Sequence, residues 1–487
     1  MTAAADVTHT PDARPPRAND LDALLGRLRD AAKKDGAPSY EARVKDLDKL
    51  DKAIRGRKAA IADAIARDFG TRSKHETLFG EVFGVLSLIH YTKGHLRDWM
   101  DPEDRETSLV FLPSTSQVVV QPLGVVGIIA PWNYPVRLAL APLVAALAAG
   151  NRVMIKPSEL VPGTSALLRD LISETFPADQ VAVVVGGADV GEAFAKLPFD
   201  HLFFTGSTRV GKMVMRAASE NLVPVTLELG GKSPAIVGPD FDPKTAAARI
   251  MAGKTYNAGQ TCIAPDFVMV PAASRDAFVE GCRAAVAKMY PTLLKNPDYT
   301  SIVNDRHYAR LRAYVDDAKA SGAEVIEINP SREALDAGGA GDRKIAPTLV
   351  LGATDKLQCM QEEIFGPVLP ILTYTTLDEA LAYVNDHPRP LALYYFSHNR
   401  EGIDRVLSET TSGGVSVNET MLHIAQDDLP FGGVGPSGMG HYHARDGFDA
   451  FSKKKAVFRQ SRINTTGLLR PPYGKMADRV IAMLLGR

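Results

Sequence analysis

Residues 125–130, Val-Val-Gly-Ile-Ile-Ala, open the stretch that decides the fold, because they begin an alternation that continues to Leu229. Val125 to Ala130 is a continuous apolar run of strand length. Arg137 to Ala149 (RLALAPLVAALAA) is an apolar run of helix length, stopped by Gly150. Val153 to Ile155 then reads as a strand, Thr164 to Phe176 as a helix, and Val181 to Val185 as a strand followed by Gly186-Gly187. Leu202 to Thr205, Val210 to Ser219 and Val225 to Leu229 repeat strand, helix, strand. Short strands that are apolar on both faces and separated by helices specify a parallel sheet covered on both sides, the layering of a Rossmann-like α/β unit. Ligands of such sheets sit beyond the carboxyl ends of the strands, so the segments after these runs are where chemistry is expected.

Upstream, Val44, Leu47, Leu50, Ile54, Ile61 and Ile65 recur at helical spacing between Ser39 and Phe69, with Gly70 as a stop. Ser108 to Leu112 and Gln117 to Gln121, joined by Pro-Ser-Thr-Ser, read as a hairpin. Downstream, helices over 242–257 and 274–289 flank a strand at 267–271, and further βα units run to about Val417, which predicts a second α/β domain. Gly432 to Gly438 is too rich in glycine for regular structure and reads as a turn segment. Phe448 to Phe458 is a candidate partner strand for the hairpin. Leu469 to Arg487 reads as an amphipathic helix, and residues 1–18 as a flexible arm.

A chain of 487 residues is too long for one core and predicts two or three units. The 56 Lys and Arg nearly cancel the 57 Asp and Glu, so no field draws the chain to nucleic acid or anionic lipid. The first twenty residues lack an apolar core and carry Asp6, Asp12 and Asp20, unlike a secretory or transit leader. The apolar run Leu138 to Gly150 is interrupted by Pro142 and is shorter than the ~20 residues of a membrane span. Three cysteines form neither a disulfide framework nor a zinc pattern, and His307, His387 and His398 lack ligand spacing and read as surface residues. No metal site and a cytoplasmic location are the expectations.

Cys262 stands apart from the other two cysteines. It sits in Asn-Ala-Gly-Gln-Thr-Cys-Ile-Ala-Pro (257–265), a segment without helical periodicity, whereas Cys282 shares an apolar helical stripe with Phe278, Val286 and Met289. A nucleophilic thiol needs access and a lowered pKa; a small buried residue is the alternative reading. Asn133, in Pro-Trp-Asn-Tyr-Pro after the 125–130 strand, is placed to donate to a developing oxyanion, or simply to make an Asx turn. Glu228 ends a strand between apolar neighbours, where burial raises a carboxyl pKa toward that of a general base. Thr205-Gly-Ser-Thr-Arg-Val-Gly-Lys-Met213 matches P-loop spacing up to Lys212. Met213 cannot bind Mg²⁺ as a hydroxyl would, so a dinucleotide pyrophosphate is favoured over ATP hydrolysis.

These motifs, in this order, resemble the NAD(P)-dependent aldehyde dehydrogenase superfamily. The anchors are PWNYP (131–135), KPSE (156–159), FTGSTRVGK (204–212), LELGGKSP (227–234), GQTC (259–262), EEIFGP (362–367) and LPFGGVGPSGMG (429–440). CIAPD after the candidate nucleophile, SGMGHYHARDGFDAFSKKKAVF (437–458) and the tail from Arg470 are similar to the class 3 branch and the coniferyl aldehyde dehydrogenases. The resemblance implies a cofactor domain (19–104 and 123–229), a catalytic domain (230–420), a β oligomerisation flap (105–122 and 421–465) and a tail helix (466–487) reaching a neighbour's substrate entrance. It implies Cys262 as nucleophile, Asn133 and the Cys262 backbone N–H as oxyanion donors, and Glu228 as the base that activates water. It also implies that NAD, with NADP possible, contacts Trp132, Lys156, Glu159, Gly187, Thr205, Gly206, Ser207, Val210, Leu229, Glu363 and Phe365. Glu159 would favour NAD by repelling a 2′-phosphate.

The function so implied is oxidation of an aldehyde to its acid by a homodimer or homotetramer. Tyr134, Thr261, Ile263 and the tail suggest an apolar tunnel for aromatic or medium-chain aldehydes such as coniferyl aldehyde. A CoA-acylating enzyme is the alternative within the family, disfavoured by the water-activating Glu228. An inactive NAD-binding protein is the alternative outside catalysis.

Overall fold

The structure is a computed structural model that describes residues 18–335, 342–463 and 466–486. The arm expected over residues 1–18 therefore lies, up to residue 17, outside the described residues.

The helix Tyr40–Phe69 begins where Ser39 caps it, its hydroxyl accepting the Ala42 N–H at 3.3 Å, and ends at Gly70. Its stripe of Leu47, Leu50, Ile54, Ile61, Ile65 and Phe69 is buried, each such side chain contributing ~1.5–3 kcal/mol of transfer free energy. The stripe joins a core with the helix Arg137–Ala149, which is apolar on every face and buried along all but its first residue.

That helix covers a six-stranded sheet in the order Gly438–Met439, Val225–Glu228, His201–Thr205, Val125–Ile129, Arg152–Lys156, Val181–Val183. The five strands expected from the sequence pair in parallel. The sixth comes from the glycine-rich segment, read above only as a turn: Gly438 and Met439 pair antiparallel with Glu228 and Leu227. Gly438 has φ 146°, and a Cβ there would overlap the Leu227 carbonyl oxygen, so only glycine brings this segment against the strand.

A seven-stranded sheet follows in the order Glu324–Glu327, Thr348–Leu351, Val368–Tyr374, Phe267–Pro271, Pro234–Val237, Ala392–Phe396, Gly414–Val417, parallel apart from the first pair. The third sheet has three strands, Glu103–Arg105, Thr115–Pro122 and Ser452–Arg459. It corrects the hairpin: Leu109–Phe111 is a 3₁₀ turn, and the strand opposite Thr115–Pro122 is Glu103–Arg105. It also trims the expected partner strand, since residues 444–450 form a helix before Ser452–Arg459 begins. The tail contains the helix Lys475–Leu484.

Candidate active site

Adjacent strands of the six-stranded sheet bring Glu228 and Thr205 side by side in register, and the next strand, Val125–Ile129, leads into Trp132 and Asn133. From the other side, the segment before Phe267–Pro271 carries Cys262 to the same place. That segment departs from any simple helix end. Asn257 and Ala258 both have φ 51° and Gly259 has φ 76°, a left-handed run that non-glycine residues adopt only when held.

Hydrogen bonds supply the holding. Glu76 accepts the Asn257 N–H at 3.0 Å, and the Asn257 side-chain amide donates to the Asn133 carbonyl at 3.2 Å and the Gln260 carbonyl at 3.0 Å. Gln260, fully buried, donates to the Asn257 and Ser301 carbonyls and accepts from the Val303 N–H, each at 3.0 Å. Asn133 is buried, its Nδ2 donating to the Gln260 carbonyl at 3.2 Å, so the candidate oxyanion donor and the cysteine loop are one rigid unit. Beneath them Arg72 donates to the Asn133 carbonyl at 2.5 Å, sits between the Phe69 and Tyr134 rings, and faces Glu81 at 3.5 Å. Glu81, in the π-helical turn Leu78–Phe83, accepts the Val136 N–H at 2.7 Å. These supporting residues escaped the sequence reading because nothing in local spacing marks a contact made across the fold.

Two cavities meet at Cys262, Glu228, Leu229 and Thr205. One, about 460 Å³, is lined by Phe79, Phe83, Tyr134, Tyr256, Thr261, Ile263, Phe431 and Tyr442 among others. Tyr134, Thr261 and Ile263 of the expected tunnel are among them. The other, about 200 Å³, is lined by Trp132, Asn133, Thr205, Gly206, Ser207, Leu229, Gly230, His307, Arg310, Glu363 and Phe365. Lys156, Glu159, Gly187 and Val210 are not in its lining. Lys156, the last residue of the strand Arg152–Lys156, pairs with Glu159 at 2.8 Å, Gly187 caps a short helix, and the Val210 N–H bonds Ser207 Oγ at 3.4 Å.

His307 corrects the surface reading: its ring lies 5.1 Å from Trp132, half-buried, with Nδ1 unpartnered in this cavity. Its only signal was its place in the first turn of a helix capped by Asn304. His387 is also half-buried, its ring tilted against Tyr383 at 4.2 Å, while His398 is exposed as expected.

The electrostatics depart from expectation at Cys262. Burial, followed by the neighbouring acids Glu363 and Glu228, pushes its thiol up to about 12, where a lowered value was expected. Burial alone raises Glu228 well above the usual carboxylate range, and neither of its oxygens has a hydrogen-bond partner among the described residues. Burial and Asp266 raise Glu363 to about 8, and a Cβ at Gly230 would overlap its carboxylate. Among the described residues no cluster of His, Cys, Asp or Glu could hold a metal ion, and no helix is long and apolar enough to cross a membrane.

A profile described as the aldehyde dehydrogenase family matches residues 6–457. The chain is 52% identical over 469 residues, 96% of its length and 97% of the relative's, to a protein of Pseudomonas aeruginosa named probable coniferyl aldehyde dehydrogenase. A substrate-bound structure of the Staphylococcus aureus enzyme AldH superposes with a TM-score of 0.89 at 39% identity, covering 95% of this chain and 99% of that one. Betaine aldehyde dehydrogenase of the same organism, solved with NAD+, superposes with a TM-score of 0.83 at 26% identity over 95% and 90%. Two largely parallel sheets that meet at a half-buried cysteine beside a buried asparagine and glutamate, together with these likenesses, place the chain in the aldehyde dehydrogenase family.

Proposed function

We propose that the protein oxidises an aromatic aldehyde of the coniferyl type to its carboxylic acid with NAD. The observation that carries this is the meeting at Cys262 of an aromatic-rich cavity and a second one that holds buried polar groups, with Glu228 and Thr205 in both linings. The larger cavity, about 460 Å³ and rich in aromatic side chains, suits a planar ring with a short side chain. The name of the Pseudomonas aeruginosa relative supports that choice.

The residues of the smaller cavity fit a dinucleotide. Thr205 Oγ1, Glu363 Oε1 and His307 Nδ1 are buried donors or acceptors without hydrogen-bond partners among the described residues, and the helix Thr208–Ser219 begins at its edge with Ser207 as cap. Ser207, Gly206 and Thr205 would hold the pyrophosphate side, Glu363, Phe365, His307 and Arg310 the nicotinamide side, and Lys156 with Glu159 the adenosine ribose. Val210, Gly187, Trp132 and Leu229 would flank them. Bound NAD supplies the hydride acceptor and a positive charge. Glu159 would favour NAD over its 2′-phosphorylated form.

Cys262 Sγ, once deprotonated, attacks the aldehyde carbon, and the oxygen of the thiohemiacetal is received by the Asn133 amide and the Cys262 backbone N–H. Cys262 then carries the acyl group as a thioester. Glu228, desolvated and without a hydrogen-bond partner among the described residues, takes in its ionised form a proton from the water that cleaves it. A carboxylate so placed disfavours CoA as the acyl acceptor.

The assembly we propose is a homodimer or homotetramer joined through the free edge of Ser452–Arg459. This eight-residue edge strand carries exposed Phe458 beside Phe111.

The test mixes purified protein with NAD or NADP and a panel of aldehydes and follows absorbance of the reduced cofactor. Turnover of cinnamyl-type aldehydes, abolished in Cys262→Ala, is expected. No signal with any aldehyde, or an undiminished rate in Cys262→Ala, would defeat the reading; strict dependence on CoA would favour the acylating alternative.

A further inference from the structure

Tyr442 lines the substrate cavity and has no part in the chemistry above. It is 0% exposed, and its Oη has no hydrogen-bond partner among the described residues. The ring is fixed on three sides, by Phe203 at 5.0 Å, Phe431 at 5.8 Å and His443 at 4.9 Å, and its backbone N–H donates to the Phe431 carbonyl at 3.1 Å. A buried hydroxyl with nothing to bond costs stability, and a chain that keeps one in a reaction cavity has placed it for something that enters.

Three other unpartnered buried oxygens lie in the same cavity lining: both carboxyl oxygens of Glu228, and Thr205 Oγ1 on the adjacent strand. Tyr442 is tied to the base through the backbone, since it follows the Gly438–Met439 segment whose Gly438 pairs with Glu228. The base therefore stands on a strand paired with Gly438–Met439, and the phenol three residues beyond that pairing, where the Tyr442 N–H is held by the Phe431 carbonyl.

We propose that Tyr442 is a further catalytic residue of thioester hydrolysis, accepting one O–H of the attacking water while Glu228 takes the other. This rests on the roles given above to Cys262 and Glu228. The water oxygen bonds to the thioester carbon, its proton passes to the Glu228 carboxylate, the C–S bond breaks, and sulfur leaves with the electron pair. Tyr442 neither gains nor loses a proton, because burial, reinforced by Glu228 and Cys262, keeps its phenol protonated. Its contribution is orientation: a water held at both O–H groups presents a lone pair to the carbon.

The experiment is rapid mixing of Tyr442→Phe with NAD and aldehyde, followed by acid quench and mass spectrometry of the Cys262 peptide. The first turnover of NADH should form at the unsubstituted rate, steady-state turnover should fall about tenfold, and the acylated Cys262 peptide should accumulate. The thermal midpoint should be unchanged or higher, because the hydroxyl removed bonds to no protein group; failure to fold would contradict the proposal directly. Steady-state turnover within about twofold of the unsubstituted protein, or an equal loss in both phases, would also overturn it. Absence of NADH formation in the unsubstituted protein is the separate outcome that defeats aldehyde oxidation itself.

Discussion

At Cys262 the burial and the two neighbouring acids that push the thiol up to about 12 also set the pH at which it reacts. A thiol titrating that high is protonated at neutrality, and its reactive fraction grows as protons are removed. Alkylation of the free protein by iodoacetamide should therefore quicken about tenfold per pH unit between roughly pH 7 and 9, with NAD shifting the profile to lower pH. A plateau below pH 8 without NAD would show that some group lowers the thiol instead. In the mechanism we propose, Asn133 acts on the next atom along. Asn133→Ala should lower kcat by about 10²–10³ with little change in KM, since its amide serves the oxyanion more than the bound aldehyde. A loss expressed wholly in KM would assign Asn133 to binding.

Single elements carry the tension that keeps these atoms in place. The left-handed run at Asn257–Gly259 and the Asn133 loop share carbonyls and amides, and both stand on Arg72, which is buried against Glu81 of the π-helical turn. Removing one partner strands the other in a medium that cannot solvate it. Arg72→Met should destabilise the protein by ~3–5 kcal/mol, read as a lower denaturant midpoint, and slow the first turnover by displacing Asn133. Unchanged stability would mean that burial alone fixes the turn. The same turn presents Phe79 and Phe83, 67% and 62% exposed, to the mouth of the substrate cavity while Glu81 points inward.

Across the whole molecule, the two large sheets close the site and the small one faces away from the core with an unpaired edge. Ser452–Arg459 alternates little in burial and leaves Lys453, Lys454, Lys455 and Phe458 outside. If copies of the chain meet there, Phe458→Asp should lower the mass measured by light scattering by about half, because a charge buried at such a contact costs more than the contact supplies. An unaltered mass would move the interface elsewhere.

What the sequence determined by itself was the periodic part of the molecule. Strands from Val125 to Glu228 and the helices between them were legible because burial on two faces writes itself as short apolar runs, and Ser39, Gly70 and Gly150 mark ends through local backbone chemistry. Cys262, Glu228 and Asn133 stood out because polar residues at strand ends or in glycine-bearing turns are costly without a task. Only the tertiary structure decided the rest. Gly438–Met439 became a strand because a neighbour offered an edge, Leu109–Phe111 did not because none did, and His307, Arg72 and Tyr442 joined the site from segments remote in sequence. The acidity of Cys262 is of the same kind: a thiol's proton answers to the charges and solvent around it in space, which no local spacing records.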